Sequence, residues 1–389
     1  MNTNCKAAFN DILIDANGEI LPCCFIKRSK SKEKHIDKFA RIKDWFSHDA
    51  DIKTLRHNLS NGIKDKRCNH CWQSEADNKW TLRSAHPFDG NQAESKLLHI
   101  TGGKLCNLAC RMCVPHLSSM IDAENRPWVQ STYSNYNWID DPNQSKKIIE
   151  FINSENITNI QLQGGEPQIM KGFVSILAGI ETVKKSAIDL QVTTNASVFN
   201  EKFWQQAVKF NRVTAGISVD AVGSRYEIIR YHGKWNTVQK NCDQLLHYLW
   251  EHRIDPGPTP ALNLNIVTQL SNVDQGNELN NFYQGLVDKF NGILCTYTMA
   301  HISDPDPANP WDLINIPPKL LNGLPIIKQD SKLARQWQDS IEFAKQNNRY
   351  NSKHRVKVLE REKYFKQVHG KNLWDERPDW LEIYSEDIK

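Results

Sequence analysis

The chain has 389 residues, of which 39% are hydrophobic and 24% charged, with a formal net charge of +4. That length and balance exclude a disordered chain and suit two or three globular domains, and so mild a positive charge does not by itself call for a nucleic-acid partner. No apolar run is as long as a membrane span, and the opening MNTNCKAAFNDILIDANGEI lacks the basic-then-apolar layout of a signal peptide, so a cytoplasmic location and no membrane partner are expected.

In chain order, the first expected element is a β-hairpin in DILIDANGEILP, with Asn17 and Gly18 at its turn. Two helical stretches follow, IDKFARIKDWFSHD and DIKTLRHNLSNG, and then a CxxC pair in DKRCNHCWQSE. RSAHPFDGNQAES reads as a linker. From residue 95 onward strands alternate with helices. The strands are KLLHITGG, ITNIQLQGGEP, AIDLQVTTNAS, RVTAGISVDAV, PALNLNIVTQLS and GILCTYTMAH. Between them lie helical patterns such as SKKIIEFINS, MKGFVSILAGIETVKK, NEKFWQQAVKF, WNTVQKNCDQLLHYLWEH and NELNNFYQGLVDKF. Six β/α units predict an α/β fold with a parallel sheet or open barrel, whose site gathers at the C-terminal strand ends. After residue 300, HISDPDPANPWDLINIPPK reads as a linker or lid loop, and the rest as a mainly helical extension. Three parts result: 1–92, 93–300 and 301–389.

Eight of the ten cysteines lie in the first third of the chain, in two groups. In a reducing compartment such grouping points to metal or redox chemistry rather than disulfides. Cys106, Cys110 and Cys113 fall within KLCNLACRMC, directly after the first barrel strand. A zinc site usually takes four ligands. A [4Fe–4S] cluster has four irons, so three thiolates leave one iron open to a small molecule.

CxxxCxxC in this place resembles the radical S-adenosylmethionine (SAM) superfamily. The resemblance implies a partial (β/α)6 barrel. It also implies that the open iron binds SAM, whose reductive cleavage releases a 5′-deoxyadenosyl radical that abstracts hydrogen from a substrate. Gly164, Gly165, Glu166 and Pro167 match the family's GGEP turn, and Glu166 is implied as a partner of the SAM ammonium. TTNAS resembles the TNG turn, with Ala196 where the family has glycine, and makes Asn195 a polar contact. SVDAVGSRYEIIR resembles the SxDG…R segment, giving Ser218 and either Arg230 or Lys234 as SAM contacts. Met112 stands where the family often has an aromatic residue against adenine, a contact its polarizable thioether can also make.

The other group comprises Cys5, Cys23, Cys68 and Cys71, with Cys24 as an extra thiol. Four cysteines suit tetrahedral zinc or a fully ligated iron–sulfur cluster, and spacing does not choose between them. The pattern is similar to the twitch domain, a shortened SPASM domain that holds an auxiliary [4Fe–4S] cluster, although twitch domains commonly follow the barrel. The expected function is thus a radical SAM oxidoreductase acting on a peptide or protein side chain, or alternatively on a small molecule or nucleotide. A low-potential donor such as flavodoxin or ferredoxin is the implied electron partner. A zinc protein that grips nucleic acid through the basic stretches at 27–66 and 345–371 is a reading of another class, and it leaves GGEP unexplained. Trp337, Trp374 and Trp380 are candidates to cap the barrel or stack on a ligand.

Overall fold

Ten strands form in the order β1 (Ile12–Ile14), β2 (Ile20–Leu21), β3 (Lys96–Thr101), β4 (Ala109–Cys110), β5 (Ile157–Gln163), β6 (Asp189–Thr194), β7 (Arg212–Ser218), β8 (Arg230–Tyr231), β9 (Ala261–Thr268) and β10 (Leu294–His301). The computed structural model describes residues 3–27, 34–76, 81–85, 96–129, 137–254, 257–290, 293–301, 310–327 and 331–386. The expected linker at 83–95 begins inside the short helix Leu82–Ala85, and its remainder, 86–95, lies outside the described residues with the heart of the lid loop at 302–309.

Eight strands make one open sheet in the order β10-β9-β7-β6-β5-β3-β1-β2. The six strands from β3 to β10 in this sheet are all parallel and follow chain order, as the alternating β/α pattern predicts. Leu98, Ile100, Ile160, Leu162, Leu190 and Val192 are at most 1% exposed. They alternate with half-buried polar residues along the strands, so one face of the sheet meets the helices while the other lines the barrel. Phe173, Ile176 and Leu177 on Lys171–Gly179, and Phe203 and Trp204 on Glu201–Ala207, belong to the same buried core. Each such side chain contributes about 1.5–3 kcal/mol by leaving water.

The expected hairpin forms, but it is not a separate sheet. β1 and β2 pair antiparallel, while β1 runs parallel to β3 with Ile12 opposite Leu98 and Ile14 opposite Ile100. Gly18 at the turn has φ 82°, and Asp15 Oδ1 accepts the amides of Asn17 and Glu19. MKGFVSILAGIETVKK is two helices, Lys171–Gly179 and Thr182–Lys185, broken where Ile180 and Glu181 turn extended. The Glu181 amide donates to Asn153 Oδ1 at 3.0 Å. Basic residues 352–369 form one helix that buries His354, Val358, Glu362 and Phe365 along a single stripe. Among the described residues no helix is long and apolar enough to cross a membrane.

Candidate active site

The site starts with two glycine pairs. Gly102 and Gly103 end β3, and Gly164 and Gly165 end β5. Their backbones continue the ladder past the strands: Gly102 N donates to Gln163 O, Gly165 N to Gly103 O and Glu166 N to Leu105 O, at 2.9, 3.0 and 2.8 Å. Gly164 has φ 140°, and a Cβ on Gly165 would overlap the Leu105 carbonyl. GGEP is thus the seat on which the start of the cysteine loop rests.

The loop is pinned further by its own residues. Ser119 Oγ accepts from Cys106 N and donates to Cys106 O. Ser118 Oγ donates to Leu108 O and caps the helix Ser119–Glu124. β4, which carries Cys110, pairs antiparallel with β8, placing Cys110 opposite Arg230. Arg126, 1% exposed, donates to the carbonyls of Ala109 and Cys110 at 2.9 Å each.

Burial pushes the thiols of Cys106 and Cys113 up to about 12, with the neighbouring Cys110 adding to the rise. Burial raises Cys110 as well, against the pull of Arg230. Thiols held so high release their protons only when a cation replaces them. Three donors stand ready for the sulfurs. Leu108 N is 3.5 Å and Asn195 Nδ2 4.0 Å from Cys106 Sγ, and Arg230 Nη1 is 3.6 Å from Cys110 Sγ. The Tyr226 hydroxyl, electrostatically coupled to Cys110 and Arg230, is buried without a hydrogen-bond partner among the described residues. Three neighbouring thiols with amide and guanidinium donors suit an iron–sulfur cluster.

The structure brings most of the SAM-contact candidates to this loop. Asn195 Nδ2 donates to Asn107 Oδ1 at 3.1 Å, so the TTNAS turn touches the cysteine loop directly. Ala196 holds φ 53°, the left-handed conformation that glycine adopts freely and that costs an alanine about 1–2 kcal/mol. Glu166 is fully buried and accepts from Thr194 Oγ1 and Asn195 N at 2.7 Å and from Gln168 N at 3.1 Å, tying GGEP to the TTNAS turn. Met112 is partly buried against the core. Ser218 ends β7 beside Asn265. Arg230 and Lys234 part company: Arg230 lies buried beside Cys110 and ion-paired with Asp220 at 2.7 Å, whereas Lys234 is exposed and paired with Glu227.

At the other end of the strands stand the N-terminal cysteines. Cys24, Cys5 and Cys68 all raise the Cys23 thiol beyond what burial does, and burial with Cys5 and Cys71 raises Cys68, to about 12. Cys5, Cys23, Cys68 and Cys71 are therefore neighbours. Cys24 is exposed, and it lines the same cavity as Cys23. β1 starts at the level of Leu98, near the start of β3, so these thiols flank the N-terminal strand ends while Cys106 follows the C-terminal ends.

Between the two lies the inner face of the barrel. By register His99 stands beside Gln161, Gln161 beside Gln191 and Gln191 beside Thr214. Above them Gly216 stands beside Thr193 and Asn263, and Asn263 beside Thr296. A cavity of about 390 Å³ is lined by His99, Asn159 and Gln161 on the barrel side and Cys23 and Cys24 on the other. Burial holds His99 down at about 4, so it is neutral in the folded chain. The unfolded chain takes up this proton near pH 6.5 and the folded chain only near 4. Stability is therefore complete above pH 6.5 and is lost as pH falls toward 4, by roughly 3 kcal/mol at most. We expect His99→Gln to match the parent in urea denaturation at pH 8 and to exceed it increasingly as pH falls to 5.

Several contributors escaped sequence reasoning. Asp220, inside the quoted SVDAV, anchors Arg230 and accepts the Val267 amide at 2.8 Å. Arg111, between two of the cysteines, is fully buried in an ion pair with Glu362, and its Nη2 donates to the Tyr231 hydroxyl at 2.9 Å. No local pattern marks Glu362. The tryptophan expectation is corrected for two of the three: Trp337 and Trp380 are 1% and 2% exposed in the core, and Trp337 Nε1 donates to Val273 O. Their faces are used up by packing.

Residues 100–258 match the family model described as the Radical SAM superfamily. The matched segment contains the cysteine loop, GGEP, TTNAS and Arg230. Among solved structures the chain is similar to a histidine-tagged anSMEcpe with bound AdoMet, at 16% identity and a TM-score of 0.42 over 65% of this chain. It spans 60% of that chain's length. It is also similar to Streptococcus suis SuiB bound to S-adenosylmethionine, at 15% identity and a TM-score of 0.39, over 77% of this chain and 58% of that one. No curated protein matches.

Proposed function

We propose that this chain is a radical SAM oxidoreductase that oxidises or cross-links side chains of a peptide or protein. Cys106, Cys110 and Cys113 hold one [4Fe–4S] cluster, and Cys5, Cys23, Cys68 and Cys71 hold an auxiliary one. When bound, the first cluster with SAM supplies a 5′-deoxyadenosyl radical that abstracts a hydrogen atom from the substrate. Arg230, fixed by Asp220, steadies the Cys110 thiolate, and Asn195 steadies Cys106. Glu166 acts mainly as a positioning residue, and a bond to the SAM ammonium would add to the three it already accepts. Flavodoxin or ferredoxin is the class of electron donor this chemistry calls for.

The observation that carries the reading is the placement of two thiol groups at opposite ends of one polar barrel face, with a cavity beside the N-terminal group. Tightly packed barrels fill this face with branched apolar side chains. Here it presents amides and hydroxyls, with the Asn263 amide donating to Thr298 and its carbonyl accepting from Thr296. Such rows suit the amides and hydroxyls of a peptide. A small molecule or nucleotide is the second reading; the rows from His99 to Thr298 offer its phosphates no Lys or Arg, and Lys6 at the cavity beside Cys23 is the cation nearest to hand. The auxiliary thiols suit a redox role, receiving the electron that the substrate radical must lose.

The test is mass spectrometry of peptides encoded near the gene, incubated anaerobically with protein, SAM and reductant. The expected product has lost two hydrogens. In the double variant Cys68→Ala/Cys71→Ala, SAM cleavage and deuterium transfer from labelled substrate should persist while the oxidised product disappears. A folded double variant that makes product at the parental rate would rule out the redox role.

A further inference from the structure

Behind the cysteine loop a second set of donors converges. Glu124 ends the helix Ser119–Glu124, His369 ends the helix Ser352–His369, and His232 directly follows β8. Their ligand atoms all lie within 4.8 Å of one another. Three elements distant in sequence thus meet in two imidazoles and one carboxylate.

The contact within this set is not an ordinary hydrogen bond. His369 Nε2 and Glu124 Oε1 approach to 3.1 Å, the distance of an ion pair. The two lie close enough for His369 to hold the Glu124 carboxyl low, yet among the described residues neither atom has a well-aligned hydrogen-bond partner. The angular criterion is the more telling one, since distance alone does not make a hydrogen bond. Two ligands of one tetrahedral metal ion, each about 2.0–2.2 Å from it, stand about 3.3–3.6 Å apart, slightly wider than the 3.1 Å here, and need no such alignment. His232 adds the third donor from a backbone held at φ 72°, a conformation that costs a histidine energy and persists only where its surroundings require it.

Two of the donors are held in place by their neighbours. Arg126 Nε binds the other Glu124 oxygen at 2.7 Å. The His369 ring stacks on Tyr231 with centroids 3.7 Å apart. Tyr231 is itself fixed by Arg111 and donates to Lys371 O at 3.0 Å. His232 is exposed, so one side of the set is open to water.

We propose that Glu124, His232 and His369 bind one divalent transition-metal ion of the zinc class, separate from the cysteine-held iron. The ion would tie the helix Ser352–His369 to β8 and, through the pairing of β8 with β4, to the back of the cysteine loop.

The test is titration of iron-reconstituted protein, its thiols engaged, with cobalt(II), followed by visible absorption and thermal melting. One equivalent should bind with the weak bands of nitrogen and oxygen ligands and no thiolate charge-transfer band, and should raise the melting temperature. His232→Asn removes one imidazole while tolerating the left-handed backbone, so it should fold. It should bind cobalt about tenfold more weakly or worse and lose the thermal shift. Overturning results are no cobalt uptake, a thiolate band on the added metal, or parental affinity in His232→Asn; a simple Glu–His⁺ ion pair would give the first.

Discussion

Replacing Glu362 with alanine is expected to cost about 3–5 kcal/mol of stability, the largest single-residue effect in the chain. The reason lies in what remains. The Arg111 guanidinium is fully buried and meets Glu362 with both Nη atoms, one of them at 2.8 Å. Without the carboxylate it keeps its charge, because a guanidinium holds its proton too tightly to lose it, and no water reaches it to compensate. Glu362 also accepts the Leu373 amide at 2.8 Å, which would lose its partner too. Arg111 lies between Cys110 and Cys113, so the damage should reach the loop, and the variant should retain less iron there. The double variant Arg111→Met/Glu362→Leu removes both charges and should be closer to the parent than Glu362→Ala, since apolar replacements of buried pairs are often near neutral. Urea midpoints of the three proteins check this directly.

The second large effect concerns iron. Anaerobically reconstituted parent should hold about eight irons, and Cys106→Ala/Cys110→Ala/Cys113→Ala about four. The auxiliary thiols stand at the opposite strand ends and should keep their share. Because burial raises the loop thiols to about 12, metal binding must release protons, and loading should improve as pH rises from 6 to 8. Four irons in the parent together with zinc on the N-terminal cysteines would defeat the two-cluster reading.

The barrel was legible because its strands alternate. ITNIQLQ and DLQVTT put apolar residues toward the helices and amides or hydroxyls toward the interior, a period of two that needs no knowledge of neighbours. The cysteine loop, GGEP and TTNAS were legible as spaced motifs at strand ends, and the structure joins them through Asn195 and Glu166. What stayed hidden depends on contacts between distant segments. Nothing local says that Ile12 pairs with Leu98, so the hairpin's place in the sheet could not be read. Glu362 lies in a helix so basic around its circumference that its buried stripe is masked. The choice between Arg230 and Lys234 came down to which side of a short helix–strand junction faces Cys110, and spacing does not encode that. Cys23 and Cys24 differ by one residue, which spacing cannot rank; in the fold Cys24 is exposed and Cys23 half-buried.

The central claim is that three thiols at the C-terminal end of this barrel support reductive cleavage of SAM. Chromatography of anaerobically reconstituted protein incubated with dithionite and SAM tests it most directly. The expected result is slow formation of 5′-deoxyadenosine and methionine by the parent, and none by the triple cysteine variant. Parent protein that carries iron on the loop yet forms no 5′-deoxyadenosine, or a triple variant that forms it at the parental rate, would contradict the account.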